Sequence, residues 1–234
     1  MALLHWEADS LGINLSDDQL TKFETYYARL VAWNKRCNLT SVTDYEAIQT
    51  RHFLDSLSII LADGDLNHKT IIDVGAGAGF PGLPLKIVFP DMCLTLLEAT
   101  GKKTEFLSHL CDELDLKSVT VINDRAENVA HNAGHREKYD LSVSRAVASL
   151  DTLCELCLPF CRTGGNFIAM KRQADLELTS ADQAMSVLGG QLRQRIAVKS
   201  NALPDGSELL VIEKTKSTPS GFPRRNGIPG KRPL

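Results

Sequence analysis

Hydrophobic residues recur every three or four positions through roughly the first 60 residues, which is the spacing of amphipathic helices. Ser16 and Gln19 form a capping box, which marks a helix start. The apolar positions that follow are Leu20, Phe23, Tyr27, Leu30 and Val31. A second helical segment is predicted over 45–61, and the polar stretch 63–69 reads as a connector.

From residue 70 onward, short apolar runs alternate with amphipathic segments, as in repeated βα units. The first run, 70–74, stops at glycines as a buried parallel strand would. Further strands are predicted at 92–97, 118–122, 141–144 and 166–170, with helices from about 81 to just before Pro90, over 102–114, over 150–161 and around 178–188.

The end of this region has a different pattern. Leu192, Ile196 and Val198 alternate with polar residues, and a second apolar run covers 209–212. A Pro-Asp-Gly turn signal at 204–206 separates them. This pattern predicts a terminal β-hairpin added to the βα sheet.

Composition restricts the class of protein only loosely. Hydrophobic residues make up 43% of the 234 and charged residues 24%, which is ordinary for a globular protein. No run approaches the roughly 18 to 20 apolar residues of a membrane span. Glu7 and Asp9 stand where a secretory signal would be basic, so a cytoplasmic location is expected.

The six cysteines are expected to be reduced thiols. Cys154, Cys157 and Cys161 are spaced as on one helical face beside leucines, with no nearby His to complete a zinc site. Core packing is therefore predicted for them, and no metal is expected.

Charge is unevenly distributed along the chain. The net charge is −3, yet residues 215–234 carry five cations and no acid, so residues 1–214 carry −8. A basic tail rich in Pro and Gly is either a solvated terminus or an arm that meets phosphates.

The sequence IIDVGAGAGFPG places an acid and clustered glycines at a strand-to-helix junction. Glycines allow tight turns and close ligand approach there. The spacing Gly77-x-Gly79-x-x-Gly82 fits the dinucleotide pattern of an NAD(P)-dependent oxidoreductase. The spacing Asp73-x-Gly75-x-Gly77-x-Gly79 fits the form found in S-adenosylmethionine-dependent methyltransferases.

Two features favour the second interpretation. Asp73 would repel a pyrophosphate but would suit a cofactor with an ammonium and a sulfonium group. The terminal hairpin supplies the antiparallel strand typical of methyltransferase sheets. Glu98, at the end of the second strand, is placed for ribose hydroxyls under either interpretation.

The predicted fold is therefore α/β, a Rossmann-like class I methyltransferase sheet with flanking helices, a helical N-terminal extension and a C-terminal β-hairpin. The predicted divisions are a helical extension over 1–66, an S-adenosylmethionine-binding domain over 67–214 and a basic tail over 215–234. A small-molecule methyltransferase stays open as an alternative.

The chain also resembles the RsmG (GidB) family of small-subunit ribosomal RNA guanine-N7 methyltransferases. The blocks that carry the resemblance occur in order along most of the chain: NLTSV at 38–42, RHFLDSL at 51–57, DVGAGAGFPGLPLKI at 73–87, LLEATGKK at 96–103, RAE at 125–127, SRAVASL at 144–150 and the closing FPRR…GIPGKRPL.

The resemblance implies a methyl transfer from S-adenosylmethionine to guanine N7 in the decoding-centre loop of 16S rRNA, offered free or in the 30S subunit. It implies that Gly75, Phe80 and Glu98 contact the cofactor and that Ala126 and Glu127 border its adenine. Arg145 would lie between cofactor and substrate. Asn38, Arg51, His52 and Asp55 would face the same cleft, and Arg145, Asn38 and His52 are the predicted catalytic residues.

Guanine N7 has an in-plane lone pair, so the transfer is expected to need alignment and no general base. The target should be a loop or splayed nucleotide, because the major groove of A-form RNA is too narrow to enter. The predicted RNA contacts are Lys35, Arg36, Arg51, Lys171, Arg224 and Arg225. Alanine at 224 and 225 is expected to weaken RNA binding while sparing cofactor affinity. A monomer is expected.

Overall fold

A computed structural model describes residues 1–145, 148–200 and 202–234. Seven strands in these residues form one sheet: β1 (Thr70–Val74), β2 (Cys93–Glu98), β3 (Val119–Asn123), β4 (Tyr139–Arg145), β5 (Cys161–Arg172), β6 (Gly190–Ala197) and β7 (Ser207–Lys214). Their order across the sheet is β3-β2-β1-β4-β5-β7-β6. Two residues of the SRAVASL block, Ala146 and Val147, lie outside the described residues.

The helices of the described part are α1 (Ala2–Ser10), α2 (Asp17–Cys37), α3 (Tyr45–Ile48), α4 (Asp55–Leu57), α5 (Ile60–Asp63), α6 (Gly82–Val88), α7 (Gly101–Glu113), α8 (Ala126–Val129), α9 (Leu150–Cys157), α10 (Asp175–Leu188) and α11 (Ile228–Lys231). Between α3 and α4 the chain forms a π-helical turn, Gln49–Leu54. Such turns are rare in proteins, and those that do occur often lie at functional sites.

Strands β1 to β5 are parallel, and β7 joins β5 in antiparallel register with Ala169 opposite Leu210. Strand β6 pairs with β7 at the sheet edge, also antiparallel. The predicted Rossmann-like sheet with a terminal hairpin is confirmed. The parallel strands end at one common edge, where the loops after β1, β2 and β3 begin.

The N-terminal helices share a hydrophobic core with one face of this sheet. Phe23, Leu30 and Phe53 are fully buried in the same cluster as Ile71 and Leu83. The capping box predicted from Ser16 and Gln19 is present, and the Gln19 amide also donates to carbonyls at the end of α6. Residues 1–66 therefore pack directly onto the sheet and α6.

One predicted element was wrong in its extent. The helix expected over 150–161 ends at Cys157, continues as a 3₁₀ turn over Leu158–Phe160, and gives way to β5 at Cys161. Pro159 has no N–H to extend the α-helical hydrogen bonds, so the helix stops before it. Cys161 therefore lies on a strand and not on the helical face shared by Cys154 and Cys157.

Candidate active site

The loop after β1 turns on three glycines. Gly75, Gly77 and Gly79 have φ angles of 75°, 59° and 97°, which residues other than glycine rarely adopt. A Cβ at Gly79 would stand 2.5 Å from the Leu83 side chain and 2.7 Å from the Tyr26 hydroxyl. The loop therefore needs glycine both for its backbone angles and for space.

Asp73 lies fully buried beneath this loop. Its Oδ2 accepts a hydrogen bond from the Gly82 N–H at 2.8 Å, at the first residue of α6. Its Oδ1 is buried and accepts no hydrogen bond within the described ranges. Burial raises the pKa of Asp73 to about 7.

This contact separates the two cofactor interpretations. A dinucleotide places its pyrophosphate at the N–H groups of the helix that follows the glycine loop. Here the carboxylate of Asp73 already takes the Gly82 N–H, so a pyrophosphate would meet a carboxyl group in its place. The geometry favours a cofactor without phosphate.

Glu98 ends β2 next to the glycine loop and is 7% exposed. Its Oε2 accepts from the Gly77 N–H at 3.0 Å and its Oε1 from the Thr100 N–H at 2.8 Å. The Asn123 side-chain amide donates to the Glu98 carbonyl oxygen at 3.1 Å, which fixes the end of β3 beside it. Glu98 thus connects the loop after β1 to the ends of both neighbouring strands.

Ala126 and Glu127 begin α8, just after β3, and are 9% and 7% exposed. The Gly227 N–H, from the C-terminal segment, donates to Glu127 Oε1 at 2.8 Å. The loop after β1 with its preceding acid, residues 73–82, is here called the acid–glycine loop. This loop, Glu98 and the start of α8 therefore follow one another along the carboxyl edge of β1, β2 and β3.

These residues fit S-adenosylmethionine. The unpartnered Oδ1 of Asp73 is a buried acceptor that would suit an ammonium group, and the Glu98 carboxylate, at the end of the neighbouring strand, would accept from ribose hydroxyls. When bound, the cofactor supplies an electrophilic methyl group on its sulfonium.

Phe80 is the centre of a stack beside the loop. Its ring lies 5.3 Å from that of Tyr26 and 4.6 Å from that of His52, nearly parallel to both. The guanidinium of Arg145 stands 4.8 Å from its centroid. Tyr26 also donates its hydroxyl to the Ala78 carbonyl oxygen at 2.6 Å. These contacts fix helix α2 and the π-helical turn to the acid–glycine loop.

Arg145 ends β4 and reaches across to the π-helical turn. Its Nη1 lies 3.1 Å from Asp55 Oδ2 and donates to the Arg51 carbonyl oxygen at 3.0 Å. Its Nη2 lies 3.3 Å from His52 Nδ1. The predicted grouping of Arg145 with Arg51, His52 and Asp55 is present, and within it Asp55 forms an ion pair with Arg145.

His52 is held from both sides. Its Nδ1 lies 3.0 Å from the Arg51 carbonyl oxygen, and its Nε2 lies 2.8 Å from Thr40 Oγ1. The Arg51 carbonyl oxygen can only accept and the Arg145 guanidinium can only donate, so these two contacts of Nδ1 require different tautomers. In either tautomer Nε2 can hydrogen-bond to the Thr40 hydroxyl. Burial, and secondarily Arg145, lowers the pKa of His52 to about 4. The ring is therefore neutral at pH 7.

Thr40 is a site residue that the sequence reasoning missed. Asn34 fixes it, because the Asn34 side chain donates to the Thr40 carbonyl oxygen at 2.8 Å and accepts from its N–H at 2.9 Å. The NLTSV block contains Thr40, but spacing alone gives no sign that its hydroxyl meets His52.

A cavity of about 530 Å³ opens beside this cluster. Arg51, His52, Asp55 and Arg145 form one wall. Residues 170–172 at the end of β5, Val198 and Pro204 between β6 and β7, and residues 207–209 at the start of β7 line most of the rest. The terminal hairpin therefore contributes a wall as well as an antiparallel strand.

The predicted RNA-binding cations differ in what surrounds them. Lys35 and Arg36 are exposed at the end of α2. Asn38, which follows that helix, is also exposed and has a φ of 47°. Arg51 and Arg225 are exposed as well.

Two other predicted RNA contacts have their charged ends already paired. Lys171 Nζ lies 2.6 Å from Glu177 and donates to the Ala148 carbonyl oxygen at 2.6 Å, with its side chain 8% exposed. Arg224 forms a forked ion pair with Glu155. Each of these two cations is therefore already paired with a carboxylate of the protein.

Within the described ranges, no helix combines the length and hydropathy needed to cross a membrane. No three His, Cys, Asp or Glu side chains of that part of the chain converge as metal ligands. Cys154, Cys157 and Cys161 are buried free thiols, as core packing predicted.

The sheet order, the hairpin and the acid–glycine loop are those of the Rossmann-like class I methyltransferases. Solved structures with this fold include a mutant of MtNAS (TM-score 0.56, 13% identity, covering 85% of this chain and 75% of that one) and the YcgJ protein of Bacillus subtilis (TM-score 0.53, 13% identity, 71% and 100%). At this identity the likeness shows the fold alone.

Residues 19–203 match the family GidB, rRNA small subunit methyltransferase G. Relatives named ribosomal RNA small subunit methyltransferase G include those of Dehalococcoides mccartyi (50% identity over 226 residues, 96% of each chain) and Roseiflexus castenholzii (50% over 231 residues, 97% of each). The chain belongs to this family.

Membership confirms the resemblance seen in the sequence motifs. The protein is an S-adenosylmethionine-dependent rRNA methyltransferase, and the NAD(P) and small-molecule alternatives are set aside.

Proposed function

We propose that the protein transfers the methyl group of S-adenosylmethionine to N7 of a guanosine in the decoding-centre loop of 16S rRNA. The observation that carries the proposal is the adjacency of two sites. The buried acid–glycine loop and the cavity walled by Arg145 meet at the Phe80 stack, so a base in the cavity would lie next to the cofactor.

The chemistry needs little from the protein beyond orientation. N7 offers its lone pair without losing a proton, so in-line attack on the methyl group needs only alignment. His52 supports this, because both ring nitrogens are engaged and its pKa of about 4 keeps it neutral. With S-adenosylmethionine and RNA both saturating, so that the titration of Asp73 in the ligand-free protein does not enter, the methyl-transfer rate is expected to show no inflection near the ordinary histidine pKa of 6.5.

Arg145, His52 and Asn38 are proposed as the residues that orient the base. The guanidinium of Arg145 is fixed by Asp55 and by the Phe80 ring, so it is a rigid part of the cavity wall. Asp55 also balances its charge, which reduces repulsion toward the cationic 7-methylguanine product.

The RNA is proposed to meet exposed cations of the protein, of which Arg51 also lines the cavity. Lys35, Arg36, Arg51 and Arg225 are exposed and suited to phosphate contacts. We propose 16S rRNA, free or within the 30S subunit or its assembly intermediate, as the partner of a monomer acting in the cytoplasm.

The test is transfer of labelled methyl from S-adenosylmethionine to 16S rRNA, offered naked and as 30S particles that lack the modification. Label in RNA from either substrate supports the proposal. Cofactor binding without label in either RNA would overturn the substrate while leaving the cofactor site intact.

A further inference from the structure

The C-terminal segment 215–234, here called the tail, lies against the folded protein. Arg224 Nη2 donates to Glu155 Oε2 at 2.6 Å, and Arg224 Nε donates to Glu155 Oε1 at 2.9 Å. The Arg224 N–H also donates to Oε1, at 2.7 Å. The Glu155 side chain is 1% exposed. A buried carboxylate met by a forked guanidinium is a strong and specific attachment.

Further contacts fasten the tail to the chain that follows α8. Arg136 donates from Nη1 to the Phe222 carbonyl oxygen at 2.9 Å and from Nη2 to the Thr218 carbonyl oxygen at 2.8 Å. His131 Nε2 lies 2.8 Å from the Pro223 carbonyl oxygen. The tail is therefore attached to residues 131–136 as well as to α9.

One contact reaches α8 itself. The Gly227 N–H donates to Glu127 Oε1 at 2.8 Å, and Gly227 has a φ of 76° that favours glycine. Glu127 is 7% exposed, so this N–H is a principal partner of a carboxylate with little access to water. The tail thus sets where the Glu127 carboxylate lies.

The position of α8 relates this contact to the cofactor. Neighbouring strands lie about 4.8 Å apart. With the ammonium group at Asp73 on β1 and the ribose at Glu98 on β2, the attached base would continue in the same direction, to the end of β3. Helix α8 starts there, three residues after Asn123, which hydrogen-bonds to Glu98.

We propose that the tail positions the adenine side of the cofactor site, with Arg224 as its anchor and Glu127 as the residue through which it acts. Arg224 is then a positioning residue for the cofactor and not an RNA contact. The inference rests on the cofactor site of the proposed function and is independent of which nucleotide is methylated.

The test compares Arg224→Ala with Arg232→Ala, which removes the same charge from an exposed position of the same tail. The readout is the calorimetric Kd for S-adenosylhomocysteine. If detachment leaves about one molecule in ten with α8 in its binding position, the Kd rises about tenfold. The Kd of Arg232→Ala should stay at the wild-type value. This reverses the sequence-based expectation that a change at Arg224 spares cofactor affinity.

Adenosine provides the second readout, because it carries the base without the methionine part. Its Kd should rise by the same factor in Arg224→Ala. An unchanged Kd for both ligands in folded Arg224→Ala, whatever its melting temperature, would overturn the proposal. So would a rise for S-adenosylhomocysteine without one for adenosine.

If Arg224→Ala gives no folded protein, Arg224→Lys replaces it. Lysine keeps the charge beside Glu155 but cannot form the fork. A raised Kd for both ligands supports the proposal, and a wild-type Kd contradicts it. Failure of the wild-type protein to methylate rRNA would overturn the proposed function without changing these cofactor measurements.

Discussion

Binding of S-adenosylhomocysteine should expel a proton from Asp73. In the structure this carboxyl is fully buried, with one N–H donor on Oδ2 and no partner on Oδ1 within the described ranges. Burial raises its pKa to about 7. A ligand ammonium at Oδ1 would favour the ionised form, so the proton should leave as the ligand binds.

The magnitude follows from the pKa. At pH 6.5 a group with a pKa of about 7 is roughly three-quarters protonated. If the ligand returns the pKa to its ordinary value of 3.8, about three-quarters of a proton is released per molecule bound. The shift of roughly three pKa units corresponds to about 4 kcal/mol of interaction between the ligand and the ionised carboxylate.

Calorimetry at pH 6.5 in phosphate and in Bis-Tris measures this proton release, because both buffer at this pH and they differ in ionisation enthalpy. Asp73→Asn is the control: it should bind more weakly, because it lacks the charge, and its binding heat should not depend on the buffer. His52, with a pKa of about 4, is already neutral at this pH and contributes nothing. Buffer-independent heat in the wild-type protein, or equal release in Asp73→Asn, would refute the reasoning.

The same pKa affects the stability of the ligand-free protein. Because folding raises the pKa of Asp73 above 3.8, the folded state binds this proton more tightly than the unfolded state. The contribution of Asp73 to the free energy of unfolding is therefore greatest below about pH 4 and is lost as pH rises to about 7. Asp73→Asn should remove that part of the pH dependence in urea unfolding, and an unaltered slope would contradict the assignment.

Three further perturbations probe the loop and the RNA surface. Tyr26→Phe removes a buried hydroxyl that bonds to the glycine loop and should lower the free energy of unfolding in urea by about 1–3 kcal/mol; no decrease would mean that α2 does not brace the loop. Gly79→Ala forces a Cβ to 2.5 Å from a neighbouring side chain at a φ of 97° and should cost at least about 2 kcal/mol, whereas Gly221→Ala, with open space around it, should stay within about 0.5 kcal/mol. Lys35→Ala and Arg36→Ala should each reduce the salt dependence of rRNA binding, by about 0.7 in the log–log slope for each phosphate that is no longer neutralised, with cofactor Kd unchanged; a wild-type slope would exclude them from the RNA surface.

Local patterns were enough to predict most of the fold. The capping box at Ser16, the strand at 70–74 and the hairpin around Pro204 are set by neighbours in sequence, and all three are present. The helix that was expected to reach Cys161 shows the limit, because the apolar spacing continues past Pro159 while the hydrogen-bonding pattern cannot.

The site was predictable where a motif implies its own geometry. The acid–glycine loop and Glu98 lie where the sequence placed them, since both are fixed by the ends of adjacent strands. Contacts between distant segments were not predictable. Thr40 meets His52, and Arg224 meets Glu155 across 69 positions, and neither pairing leaves a periodic trace in the chain. For Arg224, composition left open whether the basic tail is solvated or meets phosphates, and in the fold its guanidinium pairs with Glu155.

The central proposal is that the protein methylates N7 of one guanosine in the decoding-centre loop of 16S rRNA. The most direct measurement is mass spectrometry of nucleosides and of sequenced fragments from 16S rRNA after reaction with labelled S-adenosylmethionine. The account predicts a single 7-methylguanosine in the decoding-centre loop. Label on N1, N2 or a ribose oxygen, or N7 label spread over many guanosines, would contradict it.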